Sequence, residues 1–119
     1  MVKIEKFEDI LVWKKAGTLV IDLYNTFENC KDYAFRDQLQ RAAVSVMNNI
    51  AEGYERKGNK EFIRFLYISK GSSGEVRSML YLARKLDYID EDNFKKLKTV
   101  CLEISKMLSN FIKSLYKSD

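Results

Sequence analysis

The sequence predicts an all-α fold, an up-down-up-down antiparallel four-helix bundle. Three observations point to it. The 119 residues contain no proline and only five glycines, so little in the chain interrupts a helix. Apolar residues recur with helical period in four successive stretches. The breaks between them are short, and long helices with short connections pack most simply as antiparallel neighbours. With 46% hydrophobic residues at this length, a single domain over residues 1–119 is expected.

The first helix is expected over roughly residues 9–28, with Val12, Trp13, Ala16, Leu19, Val20, Leu23, Tyr24 and Phe27 facing inward and Lys14, Thr18, Asp22 and Asn25 opposite. "ENCKD" is a polar break, and the second helix follows over 33–56 with Phe35, Leu39, Ala42, Ala43, Val46, Ile50 and Tyr54 inward. Gly58 is placed to stop it. Asn59 can cap a third helix over 60–88, about 43 Å long at 1.5 Å per residue. Its inward stripe is Phe62, Phe65, Ser69, Ser72, Val76, Met79, Leu80, Ala83 and Leu86, with small residues that let backbones approach. Asp90 opens the fourth helix, whose first turn holds Glu91 and Asp92 where acids suit the helix dipole. Phe94, Leu97, Cys101, Ile104, Leu108, Phe111, Ile112 and Leu115 form its apolar face.

Several chemistries are excluded by what the chain lacks. There is no histidine, so Ser-His-Asp and Cys-His mechanisms and Glu-x-x-His di-iron sites cannot be built. Neither G-x-x-x-x-G-K-[ST] nor G-x-G-x-x-G appears. Cys30 and Cys101 have no C-x-x-C spacing and read as free thiols, with no metal or cofactor expected. The longest uncharged run is the ten residues Ala42 to Ala51, short of the roughly 20 needed to span a bilayer. The opening "MVKIEKFEDI" is too charged for a signal peptide, so a cytoplasmic protein without membrane contact is expected.

Three surfaces are candidates for function. On the second helix Arg41, Ser45, Asn49 and Glu52 fall within about 80° of one another, away from Val46 and Ile50. Most such stripes are solvated faces. Short Ser and Asn are nevertheless poor helix formers where Lys and Glu would serve, which suggests that something sits against them. On the third helix Ile63, Tyr67, Lys70, Gly74, Arg77, Tyr81, Lys85 and Tyr88 run opposite the core stripe. Aromatics interleaved with cations suit base stacking and equally suit a subunit interface, which an interior glycine favours. The third surface is electrostatic: residues 53–70 and 95–119 contribute +3 and +4 to a net charge of +4. In an antiparallel bundle they meet at one end, gathering Arg56, Lys57, Lys60, Arg64, Lys113 and Lys117 into a patch suited to RNA or DNA phosphates. Lysines near a helix C-terminus are also expected from the dipole alone.

Beyond these surfaces, "FEDILVWKKA", "RAAVSVMNNIAEGYER" and "EFIRFLYISKGSSGE" resemble the bacterial four-helix-bundle family of 23S rRNA intervening-sequence proteins, which includes accessory variability determinants of diversity-generating retroelements. The family pattern Arg-Ala-Ala-x-Ser-Ile-Pro-x-Asn-Ile-Ala-Glu-Gly falls on Arg41, Ala42, Ala43, Ser45, Asn49, Ile50, Ala51, Glu52 and Gly53, with Val46 for Ile and Met47 for Pro. Without that proline the second helix is expected to be straighter than its relatives'. The resemblance implies a homopentameric ring in which Arg41, Ser45, Asn49, Glu52, Ile63, Tyr67, Gly74, Arg77 and Tyr81 form contacts within or between subunits. It also implies a non-catalytic helper that binds nucleic acid or a reverse transcriptase. The competing expectation is an adaptor ring that contacts a protein through Tyr67 and Tyr81. A third, an enzyme using Glu52 and Glu75 as acid and base, has no pocket to motivate it.

Overall fold

The computed structural model describes residues 3–118, and within them four helices follow a single 3₁₀ turn at Phe7–Asp9. They are α1 (Leu11–Thr26), α2 (Tyr33–Glu55), α3 (Asn59–Lys85) and α4 (Glu91–Lys117). Each packs against its neighbours in sequence, and α1 closes the square against α4. Diagonal pairs do not approach closely at the backbone among the described residues. The bundle measures 46 × 23 × 19 Å, as expected where its longest helices, at 27 residues, are about 40 Å long.

Local chemistry sets the helix ends. Asp32 accepts the Phe35 amide at 3.1 Å and Asp90 accepts the Asn93 amide at 2.8 Å, so both acids satisfy donors that have no partner inside the helix. The turn before α3 differs from expectation. Gly58, at φ 87°, is the residue that caps α3, and the Asn59 amide instead donates to Leu115 O at 3.4 Å and to Ser118 Oγ at 2.8 Å. That pair of bonds fastens the start of α3 to the end of α4. At the other end of the molecule, Tyr88 donates to Asp32 at 2.8 Å and joins the loop after α3 to the loop before α2.

The core follows the expected stripe of each helix, with Ile63 and Leu66 of α3 enclosed as well and with Tyr24, Leu86 and Ser72 placed otherwise. Tyr24 is 43% exposed, because it lies one residue, or about 100°, beyond Leu23 and leaves the buried arc. Leu86 is 45% exposed at the end of α3, where the helix terminates before it can turn the side chain inward. In α3 Ser73 rather than Ser72 is fully enclosed, since this helix packs on two neighbours and Ser73 faces the second of them. Its hydroxyl donates to Cys101 O of α4 at 3.1 Å, and Ser69 donates to Val46 O of α2 at 2.7 Å. Both buried hydroxyls are thereby satisfied, which avoids the roughly 1–3 kcal/mol cost of an unpaired buried polar group.

α2 runs unbroken through Met47, whose methyl would lie 3.5 Å from a Cβ added to Gly17 of α1. Among the described residues no helix is long and apolar enough to cross a membrane, and no cluster of His, Cys, Asp or Glu is suited to a metal ion.

Both cysteines are free, Cys30 half-buried and Cys101 enclosed in the core, where burial pushes its thiol up to about 12. A thiol reagent at mildly alkaline pH is therefore expected to label Cys30 in the native protein and Cys101 only after unfolding. Mass spectrometry of the labelled chain checks this, and rapid native labelling of Cys101 would contradict the buried placement.

Candidate nucleic-acid interface

The polar line of α2 faces α3 of its own chain. Ser45 and Ser72 share a hydrogen bond of 2.8 Å, and Asn49 donates to the carbonyl and hydroxyl oxygens of Ser45 at 2.8 and 2.9 Å. Further toward the N-terminal end of α2, Gln38 donates to Glu75 at 3.3 Å. In the other direction the line reaches Gly53, where an added Cβ would sit 2.6 Å from Phe65 Cβ and 3.0 Å from Phe62 Cδ1. Ser45, Asn49 and Gly53, spaced by four, thus form the track on which α3 lies. Ser45 makes a contact within the subunit, and Asn49 bonds back to Ser45 of its own helix. Arg41 and Glu52 flank the track and are exposed.

The same geometry separates the two carboxylates weighed as an acid and base pair. Glu75 lies opposite Gln38, while Glu52 is 14 residues further along α2, about 21 Å away, and pairs with Arg56 at 2.6 Å.

On α3, Ile63 is 6% exposed and belongs to the core, a correction to its place on the outer side. It lies on the flank turned toward α4, at the end where the helices are tied together by Asn59. Tyr67 and Tyr81 are exposed, and Tyr81 also meets Phe94 edge-on with ring centroids 5.0 Å apart. Gly74 and Arg77 are half-buried, and no atom lies within 4 Å of a Cβ added at Gly74.

The bonds from Asn59 to α4 put the α2–α3 turn beside the α4 C-terminus, so the basic residues of both segments share one end. They divide into two sets. Arg56 and Arg64 both lie over the Phe65 ring, at 4.9 and 4.8 Å, and are neutralised by Glu52 at 2.6 Å and Glu61 at 3.0 Å. Hydrogen bonding to Arg64 holds the Glu61 carboxyl below its usual range, with Arg64, Arg56 and Lys60 adding to the effect electrostatically. Lys57, Lys60, Lys113 and Lys117 are exposed and have no acidic partner among the described residues. These four supply the uncompensated charge of the patch. The division is local, since each arginine pairs with a glutamate three or four residues earlier on its own helix, and a bare count of charges overlooks it only because it ignores spacing.

A four-helix bundle with a lysine-rich end and a serine–asparagine seam is the class these features define. Residues 8–110 match the family of 23S rRNA-intervening sequence proteins, and the chain belongs to that family. Among solved structures it is similar to a protein of unknown function from the S23 ribosomal protein family of Bacteroides thetaiotaomicron VPI-5482. The likeness has a TM-score of 0.80 at 22% identity and covers 87% of this chain and 96% of the other, and it speaks to fold alone. No curated protein matches the chain.

Two outcomes follow from this geometry. Gly53→Ala gains helix propensity of about 1 kcal/mol but forces apart two phenylalanines, so a net loss of about 1–2 kcal/mol is expected in denaturant unfolding. An unchanged midpoint would mean that α3 can shift away. Glu61 carries a depressed pKa in the folded state. Its contribution to stability is therefore present above the ordinary value of 4.5 and lost as pH falls through the folded value. Glu61→Gln is expected to flatten the acid limb of the stability profile in that window.

Proposed function

We propose that the protein is a non-catalytic, homo-oligomeric helical scaffold that binds nucleic acid through its basic end. The observation that carries this reading is the convergence of Lys57, Lys60, Lys113 and Lys117 from two distant segments without acidic partners among the described residues. Exposed ammonium groups gain affinity for phosphates chiefly by releasing counterions, a force with little sequence preference. A ring of five subunits is what the resemblance implies, and exposed Ile68 and Leu82 on α3 and Ile21 on α1 offer apolar surface for subunit contact.

Light scattering with and without a short structured RNA, at low and high salt, tests both parts. The expected mass is near five times the 14.0 kDa chain, with RNA gained only at low salt. Affinity is expected to fall by roughly 0.7 to 0.9 log units per log unit of salt for each phosphate neutralised. Lys57→Glu combined with Lys113→Glu should remove most of that dependence. A monomeric mass would refute the ring, and an absence of RNA binding at low salt would refute the nucleic-acid reading.

A further inference from the structure

We propose that single-stranded nucleic acid lies along the groove between α3 and α4, held by unpaired cations and stacked on exposed tyrosines. This rests on the nucleic-acid reading above and extends it from the end of the bundle along its length.

The first observation is how ion pairs are distributed. Carboxylate partners are found for Lys15, Arg36, Arg56, Arg64, Arg84 and Lys95. Lys70 and Arg77 on α3, and Lys98 and Lys106 on α4, have none among the described residues. The reason is geometric. Within α3, Glu75 is turned to Gln38 of α2 and Glu61 to Arg64. Glu103, the only acid of α4 after its first turn, meets Lys15 of α1 at 3.6 Å. All three acids are thus directed away from the α3–α4 groove, leaving a lane of positive charge with Glu91 and Asp92 only at its far end.

The second observation is aromatic. Tyr67 and Tyr81 are 51% and 47% exposed and lie 14 residues apart on one side of α3, about 21 Å along its axis. Gly74 stands midway between them with open space above it, so a strand can approach the helix backbone there. Lys98 sits 5.6 Å from the Tyr81 ring centroid, presenting a charge and a stacking surface together. Further along α4, Lys113 follows Lys106 within about 20°, and both lie outward of Lys98, Lys106 by about 80°, on the rim of the groove. Tyr116, 60% exposed, extends it to the lysine-rich end.

Alternating cations and open rings suit unpaired bases, whose faces are available for stacking. A duplex hides those faces and would use the cations alone. Such a strand would enter at Lys117 and run toward Tyr81 over the acid-free face.

Fluorescence anisotropy tests the lane with a labelled single-stranded RNA of roughly 16 nucleotides and the matching duplex at low salt. The single strand is expected to bind more tightly. Tyr67→Ala and Tyr81→Ala should each weaken it about tenfold, with Tyr67→Phe retaining affinity. Lys98→Ala and Lys106→Ala should each lower the salt slope by about 0.7. Circular dichroism of each variant separates these effects from loss of fold. If Lys57→Ala and Lys113→Ala weaken binding while the tyrosine, Lys98 and Lys106 variants do not, the end patch stands and the groove is overturned. Equal duplex binding that ignores the tyrosines overturns the single-stranded assignment. Failure of every nucleic acid to bind overturns both readings.

Discussion

The approach of α2 to α3 at Gly53 is the constraint on which the rest of the molecule depends. With Phe65 Cβ only 2.6 Å from where a side chain would begin, the glycine allows the backbone of α2 to reach the phenylalanines of α3. Once that contact is made the antiparallel register follows. Val46 meets Ser69, Ser45 meets Ser72, and Gln38 meets Glu75, each one further back along α2 and further along α3. Small residues and hydroxyls occupy the seam because larger side chains would hold the helices apart. The hydroxyls that result are not left unsatisfied, since each finds a partner across or along the seam.

Register in turn decides the surface. Turning α3 so that Ser69 and Phe65 face α2 carries Glu75 to the same side, away from α4. Two of the unpaired cations of α3, Lys70 and Arg77, then border a helix whose one mid-length acid is occupied by Lys15. Net charge is only +4 over the whole chain, yet a sorted arrangement yields one acid-free face from that small excess. Charge sorting of this kind is a property of helix rotation. It cannot be read from composition.

Two clamps hold the ends of the bundle. Asn59 joins α3 to the last turn of α4, and Tyr88 joins two loops through Asp32, a residue that also caps α2. Each uses one polar side chain to connect elements more than fifty residues apart in sequence. Such bonds are individually worth about 1 kcal/mol, and the Asn59 clamp orients the helix ends where the basic residues gather.

The four helices, their order and most of their buried faces were legible in the sequence, because a 3.6-residue apolar period reports directly on which side of a helix leaves water. The motif from Arg41 to Gly53 identified the family for the same local reason: its spacing survives as a line along one helix. The misreadings came where burial depends on a neighbour. Ile63 looks outward on an isolated α3 and is covered only because α4 lies beside it. At Ser45, where a poor helix former suggests that something sits against α2, the covering element is α3, whose Ser72 shares a hydrogen bond with it. Sequence spacing already pairs Arg56 with Glu52 and Arg64 with Glu61 on single helices, but tertiary structure decided that Glu103 of α4 meets Lys15 of α1, away from Lys98 and Lys106. Helical period and i,i+3 or i,i+4 ion pairs are local properties encoded residue by residue, whereas a pair between helices, such as Lys15 with Glu103, depends on the relative rotation of packed helices, which no single helix contains.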